Sequence, residues 1–244
     1  MRLVTQVKLH PSSEQKGMLD RTLRAANAAC EYVGQVAWDA KVFRRFALHR
    51  YCYREIRTRF NLGAQLAVRV IAKVADAYRL ERKVQRTFRV RGSVAFDRRN
   101  LSWNPADRAI SIWTVGGRQR IGYRCGARQA AMLIHQRGES DLVYRDGAFY
   151  LYATCELPDG QMTAPAGFLG IDMGLKNIAF DSDGTRYRGN HALSLRHRHR
   201  RLRRRLQAKR TKSAKRLLRM RSRKESRFMT DVNHCVSKQL VTTA

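Results

Sequence analysis

The chain has 244 residues, 43% of them hydrophobic, which suffices for one large domain or two or three modest ones with real cores. Its 50 Lys and Arg against 19 Asp and Glu give a formal net charge of +31, far beyond what solubility requires, and this predicts a polyanionic partner, nucleic acid first. No apolar run approaches the ~20 residues that span a bilayer, no signal-peptide core follows Arg2, and the 5 cysteines are scattered without a CxxC, so neither a disulfide framework nor a zinc ribbon is visible; a cytoplasmic or nucleoid-associated protein with no membrane partner is expected.

Residues 3–9 alternate apolar and polar, with Leu3, Val7 and Leu9 on one face, and read as a half-buried strand. Ser12 followed three residues later by Gln15 makes a capping box. The helix it starts carries the stripe Leu19, Leu23, Ala26, Cys30, Val33, Ala37. A second helix is expected to bury Val42, Phe46, His49, Tyr53, Ile56 and Phe60, with His49 packed and hydrogen-bonded, and a third, from Ala64 to about Val84, to bury Leu66, Val70, Val74 and Ala77. The outward faces of this bundle then carry Arg21, Arg24, Arg44, Arg45, Arg50, Arg54, Arg57, Arg59, Arg69 and Lys73, a surface suited to a phosphate backbone.

From Phe88 the period changes to alternation. Strands are expected at 94–96, 100–103, 109–115, 120–123, 141–145 and 148–154, with turn chemistry at Asn104–Asp107, Gly116-Gly117 and Asp146-Gly147, and a short helix at 127–136. The strand at 3–9 has no neighbour of its own and should join this sheet, making the helical bundle an insertion into a β-barrel. Trp103, Trp113, Tyr123 and Tyr144 could stack on bases, although their alternation fits the barrel core better.

Residues 158–167 read as a linker. After it, Phe168 to Ile171 lead into Asp172, Met173, Gly174, Leu175, Lys176 and Asn177, then a second apolar run and the turn Asp181 to Gly184. This predicts an inner strand ending in a carboxylate, and a buried charge must be satisfied by neighbouring amides or hold a metal. Asp181 and Asp183 read as hairpin residues. Thr185 to Arg188 read as a third strand. From Arg186 to Ala244 there are 20 Lys and Arg against two acids, Glu225 and Asp231, whose ordinary use is i to i+4 ion pairing. A seam of Leu195, Leu202 and Leu206, a break at Thr211 to Ser213, and a continuation through Leu217, Phe228, Val232, Val236 and Leu240 predict a basic helical hairpin. His197 and His199, set among arginines, fit a phosphate-facing surface better than a metal site.

Gly170-Ile171-Asp172-Met173-Gly174 with Asn177-Ile178-Ala179 and Asp183-Gly184 resembles the first motif of a RuvC-like nuclease domain. Arg198 to Arg205, Ser213 to Leu218, and Asp231-Val232-Asn233-His234 through Ser237-Lys238-Gln239 resemble the helical segment that follows it in TnpB, the RNA-guided nuclease family encoded by insertion sequences and related to type V CRISPR effectors. The resemblance implies an α+β multidomain fold: a β-barrel wedge domain (1–10 and 86–157), an inserted helical recognition domain (11–85), the linker (158–167), and the N-terminal part of an RNase H-like (RuvC) α/β domain with long basic helices (168–244). It also implies a guide RNA and target double-stranded DNA as partners, and Mg²⁺-dependent DNA cleavage by three carboxylates, of which Asp172 matches the first and would be both catalytic residue and metal ligand. The nucleic-acid-binding residues expected are Arg44, Arg45, Arg54, Arg57, Lys176, Arg198, Arg200, Arg201, Arg203, Arg204, Arg205, Lys209, Lys212, Lys215, Arg216, Arg219 and Arg223. The second and third acidic motifs and the zinc ribbon of the family do not occur in these 244 residues. The expectation is therefore a C-terminally truncated member that does not cleave alone. A nuclease-dead guided repressor and a non-specific RNA-binding protein are the alternatives.

Overall fold

A computed structural model describes residues 1–159, 167–174 and 176–243. Of the expected linker, residues 160–166 lie outside the described residues, as does Leu175 within the Asp172 motif. The chain divides into two compact units, Met1–Gly160 and Gln161–Ala244.

In the first unit, strand β1 (Arg2–His10) is followed by helices α1 (Ser13–Asp39), α2 (Arg45–Arg59) and α3 (Ala64–Leu80). Then come β2 (Val94–Phe96), β3 (Leu101–Asn104), β4 (Ala109–Thr114), β5 (Gly117–Arg124), α4 (Ala127–Ile134), β6 (Gln136–Arg145) and β7 (Ala148–Glu156). The seven strands form one antiparallel sheet in the order β2-β6-β7-β1-β5-β4-β3. The expectation for β1 holds in full: it pairs with β7 from Arg2 opposite Glu156 to Lys8 opposite Tyr150, and with β5 through Leu9 opposite Tyr123. The helices are thus an insertion between the central strand and an edge strand. The edges β2 and β3 are joined by the turn at 97–100, where the Asp97 amide donates to Asn100 Oδ1 (2.8 Å), and Trp103 on β3 donates its indole N–H to Ser140 Oγ on β6 (3.3 Å). A sheet whose two edges are consecutive in sequence is drawn into a nearly closed barrel. Asp146 and Gly147 both have positive φ, 52° and 82°, as a two-residue hairpin requires.

The capping box at Ser12 is present, with the Gln15 amide donating to Ser12 Oγ (3.2 Å) and the Ser12 amide to Gln15 Oε1 (3.0 Å). The predicted α1 stripe, from Leu19 to Ala37, is wholly buried. On α2 the seam differs from expectation. Leu48, Cys52 and Ile56 are buried, whereas Phe46 is 87% exposed and His49 is half-buried, stacked on Tyr53 at 4.4 Å. The buried face needs only three positions, and the aromatic side chains run along its flank instead. Helix α3 ends at Leu80, four residues earlier than the pattern suggested, and buries Ala67, Ile71 and Tyr78 besides Leu66, Val70 and Val74; Ala77 is half-buried. One apolar core runs through bundle and barrel. Burial pushes the Cys30 thiol up to about 12 and Cys52 to about 11, which leaves both as inert core residues.

Two residues assigned to the outward basic face are instead structural. Arg69 bridges Asp97 (2.8 Å) and Glu139, tying α3 to the β2–β3 turn and to β6. Lys73 donates to Asn27 Oδ1 (2.9 Å) and to the Ser93 carbonyl (2.7 Å), while the buried Asn27 amide donates to the carbonyls of Leu23 and Gly92. A Cβ on Gly92 would fall 2.7 Å from Asn27 Oδ1, so only glycine fits this crossing from bundle to barrel.

The second unit holds β8 (Ile171–Asp172), β9 (Asn177–Asp181), β10 (Arg186–Arg188), α5 (Asn190–Lys209), α6 (Lys212–Arg221) and α7 (Lys224–Thr243). The strands make an antiparallel meander with β9 in the middle. The expected hairpin resolves into three helices. Arg210 takes a left-handed conformation (φ 51°) after α5 and Thr211 caps α6, accepting from the Ala214 amide at 3.2 Å; a further break follows at Arg223 (φ 65°).

Candidate nucleic-acid interface

On α5 the apolar positions Ala192, Leu195, Leu202 and Leu206 face inward, with Ala192 and Leu206 buried and the two leucines half-buried. Leu202 and Leu206 of α5 and Leu218 of α6 line one hollow between the helices, and Leu217, expected in the seam, is exposed. Along α7 the seam Phe228, Val232, Val236 and Leu240 is half-buried, and His191 meets Phe228 edge to face at 5.5 Å. Helical spacing then forces the remaining α5 residues outward. His197, Arg200, Arg201, Arg204 and Arg205 surround one open groove. Among the described residues no ion pair reaches these four arginines.

The two acids on α7 are placed elsewhere, and Asp231 is exposed with no ion pair among the described residues. Glu225 pairs with Arg203 at 2.7 Å and with Arg196 at 3.9 Å, across helices rather than in the i to i+4 pattern expected. Arg203 is therefore partly committed to holding α7 on α5. Arg198, Lys209, Lys212, Lys215, Arg216, Arg219 and Arg223 are exposed around these helices, as is Lys176 after β8. The structure brings Arg200, Arg201, Arg204 and Arg205 together on one face of α5 and spreads the rest.

In the first unit, Arg44 is the exposed residue ahead of α2, Arg45 lines a hollow with Arg69 and Lys73, and Arg54 and Arg57 line a separate groove with Tyr53 and Trp113. Of the four aromatic side chains noted from the sequence, Tyr123 is buried, Trp103 and Tyr144 pack against the core, and Trp113 is 47% exposed.

Asp172 sits differently from the inner strand the sequence suggested. Strand β8 pairs only with β9 among the described residues, Ile171 opposite Asp181 and Asp172 opposite Phe180, and both of its residues are exposed. The buried carboxylate is Asp181, which accepts from the Thr185 amide (2.7 Å) and from the Tyr187 hydroxyl (3.4 Å). It is a hairpin residue, as expected, with its oxygens already used. Mg²⁺ takes near-octahedral oxygen ligands. Asp172 alone does not supply such a set, and the described residues contain no group of three or more His, Cys, Asp or Glu able to hold a metal ion. The described residues do not fit a two-metal centre.

No helix among the described residues is long and apolar enough to cross a membrane. Residues 153–244 match the protein family described as OrfB_IS605, probable transposase, so the family resemblance read from the sequence is shown over that segment. No curated protein matches. Among solved structures, the chain is similar to one in "Cryo-EM structure of CRISPR-Cas12f Ternary Complex", at 13% identity and a TM-score of 0.48, over 94% of this chain and 59% of that one. This chain thus spans less than two thirds of the length of that relative.

Proposed function

From the OrfB_IS605 match over residues 153–244, we propose that this chain is a TnpB-type, RNA-guided DNA-binding protein. The observation that carries the reading is the α5 face, where Arg200, Arg201, Arg204 and Arg205 line one groove without an acidic partner among the described residues. Unneutralised cations gathered at one groove repel one another; the charges of a phosphate backbone offset that repulsion, and binding releases the backbone's condensed counterions. Asp172, exposed at the end of β8, would be the first carboxylate of the family's nuclease centre. By itself it assembles no cleavage site. The 244-residue chain is therefore proposed to bind guide RNA and matching DNA without cutting.

The test is to purify the chain from cells carrying its own locus, sequence the RNA that accompanies it, and assay nicking of a matching plasmid in Mg²⁺. One dominant locus-derived RNA, with no nicking, is expected. Equal affinity for unrelated RNAs at one salt concentration would overturn the guided reading. Turnover abolished by Asp172→Ala would overturn the assignment of inactivity.

A further inference from the structure

Trp113 occupies the one position on β4 where the burial pattern leaves a large aromatic side chain in solvent. Its neighbours Ile112 and Thr114 are buried, so strand alternation turns the indole outward, 47% exposed. The cross-strand neighbour that could have covered it, Arg118, is drawn aside, donating to Ser111 Oγ (2.7 Å) and Ser102 Oγ (3.1 Å). The indole stands in the wall between two hollows. One, of about 240 Å³, is lined by Gln65 at the start of α3 and by Arg99 and Asn100 of the β2–β3 turn; the other, of about 700 Å³, by Tyr53, Arg54 and Arg57 of α2.

Both hollows are furnished for a phosphodiester chain. Arg54 and Arg57 lie on one side of the indole and Arg99 on the other. Helix α3 begins at Gly63 with no side-chain cap, which leaves first-turn amides for an anion. The wall of the smaller hollow also contains an uncommitted donor. Asn100 is 3% exposed, its Oδ1 is taken by the Asp97 amide at 2.8 Å, and its Nδ2 has no hydrogen-bond partner. A buried amide nitrogen without an acceptor is costly.

We propose that Trp113 is a stacking platform for one unpaired nucleotide, with the flanking phosphates held by Arg54 and Arg57 on one side and by Arg99 and the α3 N-terminus on the other. An unpaired base is favoured over a duplex because paired bases already have both faces stacked, whereas a lone indole in a hollow offers a free π-face to any single base. The proposal rests on the nucleic-acid-binding reading above and adds a site in the first unit to it.

The experiment compares the parent chain, Trp113→Ala and Trp113→Phe for binding to short labelled oligo(U), oligo(dT) and a DNA duplex at one salt concentration, with urea denaturation as the check on folding. Trp113→Ala is expected to weaken one or both single strands by roughly 5- to 150-fold, the range for loss of one stacked base. Trp113→Phe should retain most of the affinity, duplex binding should stay within about twofold, and the salt dependence should be unchanged because no phosphate contact is removed. Whether oligo(U) or oligo(dT) suffers identifies the strand as RNA or DNA. Unchanged single-strand binding by a folded Trp113→Ala, or an equal loss on the duplex, overturns the proposal while leaving the α5 interface standing. A parent chain that binds none of the three probes overturns the nucleic-acid reading itself.

Discussion

At the scale of single residues, charge alone does not say which basic side chains meet a partner. Arg69 and Arg54 look alike in sequence, both on amphipathic helices with a basic outer face. Arg69 is nonetheless consumed inside the fold by Asp97 and Glu139, whose distant positions in the chain no local pattern could have matched to it. Burial by itself would raise the Asp97 carboxyl, but the Arg69 hydrogen bond and charge, with the Arg99 amide, hold it below the usual carboxylate range. A depressed folded-state value stabilises the fold above the unfolded carboxylate range, near pH 4, and that stabilisation is lost as pH falls through the folded value. Arg69→Ala, which leaves the partly buried Asp97 carboxylate with only the Gln65 side chain and the Arg99 amide as donors, should cost about 2–3 kcal/mol in urea denaturation at neutral pH. It should also flatten the acid limb of the stability–pH curve. A variant as stable as the parent at pH 7, with the same acid limb, would show the pair to be ornamental.

Asp172 was legible as the carboxylate of a motif but not as an exposed one. An apolar run before an acid suggests an inner strand, yet an inner position requires a pairing partner on each side, and among the described residues β8 has only β9. Trp113 shows the same failure by another route. Its alternation fitted a barrel core, and only the register of β4 against β5, with Arg118 drawn toward the serines, shows that it faces outward.

At the scale of elements, legibility followed the width of the buried face. The α1 stripe was readable because six positions at spacings of three and four all face the core. On α2 the buried face narrows to Leu48, Cys52 and Ile56, and the aromatic residues beside it outweighed them in the pattern. The barrel strands were readable from alternation and turn residues, and the Asp146-Gly147 hairpin from its two residues alone. The basic hairpin was read as two helices because the leucine and valine spacing continues across Ser222 and Arg223, where only the backbone reveals the break. For α5, the two faces make separable predictions. Leu206→Ala should loosen the second unit, costing about 2 kcal/mol at a nearly buried leucine, without a direct loss of phosphate contacts. Arg200→Glu with Arg204→Glu should leave far-ultraviolet circular dichroism unchanged and reduce RNA affinity at low salt by at least about tenfold, since each reversal replaces an attraction by a repulsion. If the charge reversals bind RNA as the parent does, α5 is a solvated face and the interface lies elsewhere.

At the scale of the whole molecule, the central strand β1, the bundle inserted after it and the basic helices of the second unit agree with what composition and period suggested. Acidic residues such as Asp97, Glu139 and Glu225 take up particular arginines and, among the described residues, leave the α5 groove uncompensated. This surplus of positive charge is expected to engage a nucleic-acid backbone, an engagement read out by the salt dependence of RNA binding. The observed association constant, measured by fluorescence anisotropy across a series of KCl concentrations, should fall linearly on a log–log plot. The slope for the parent should be roughly −3 or steeper, about −0.7 for each phosphate neutralised on a single strand, and shallower by one to two units when Arg200 and Arg204 are reversed. A parent slope near zero, or one the reversals leave unchanged, would contradict the account.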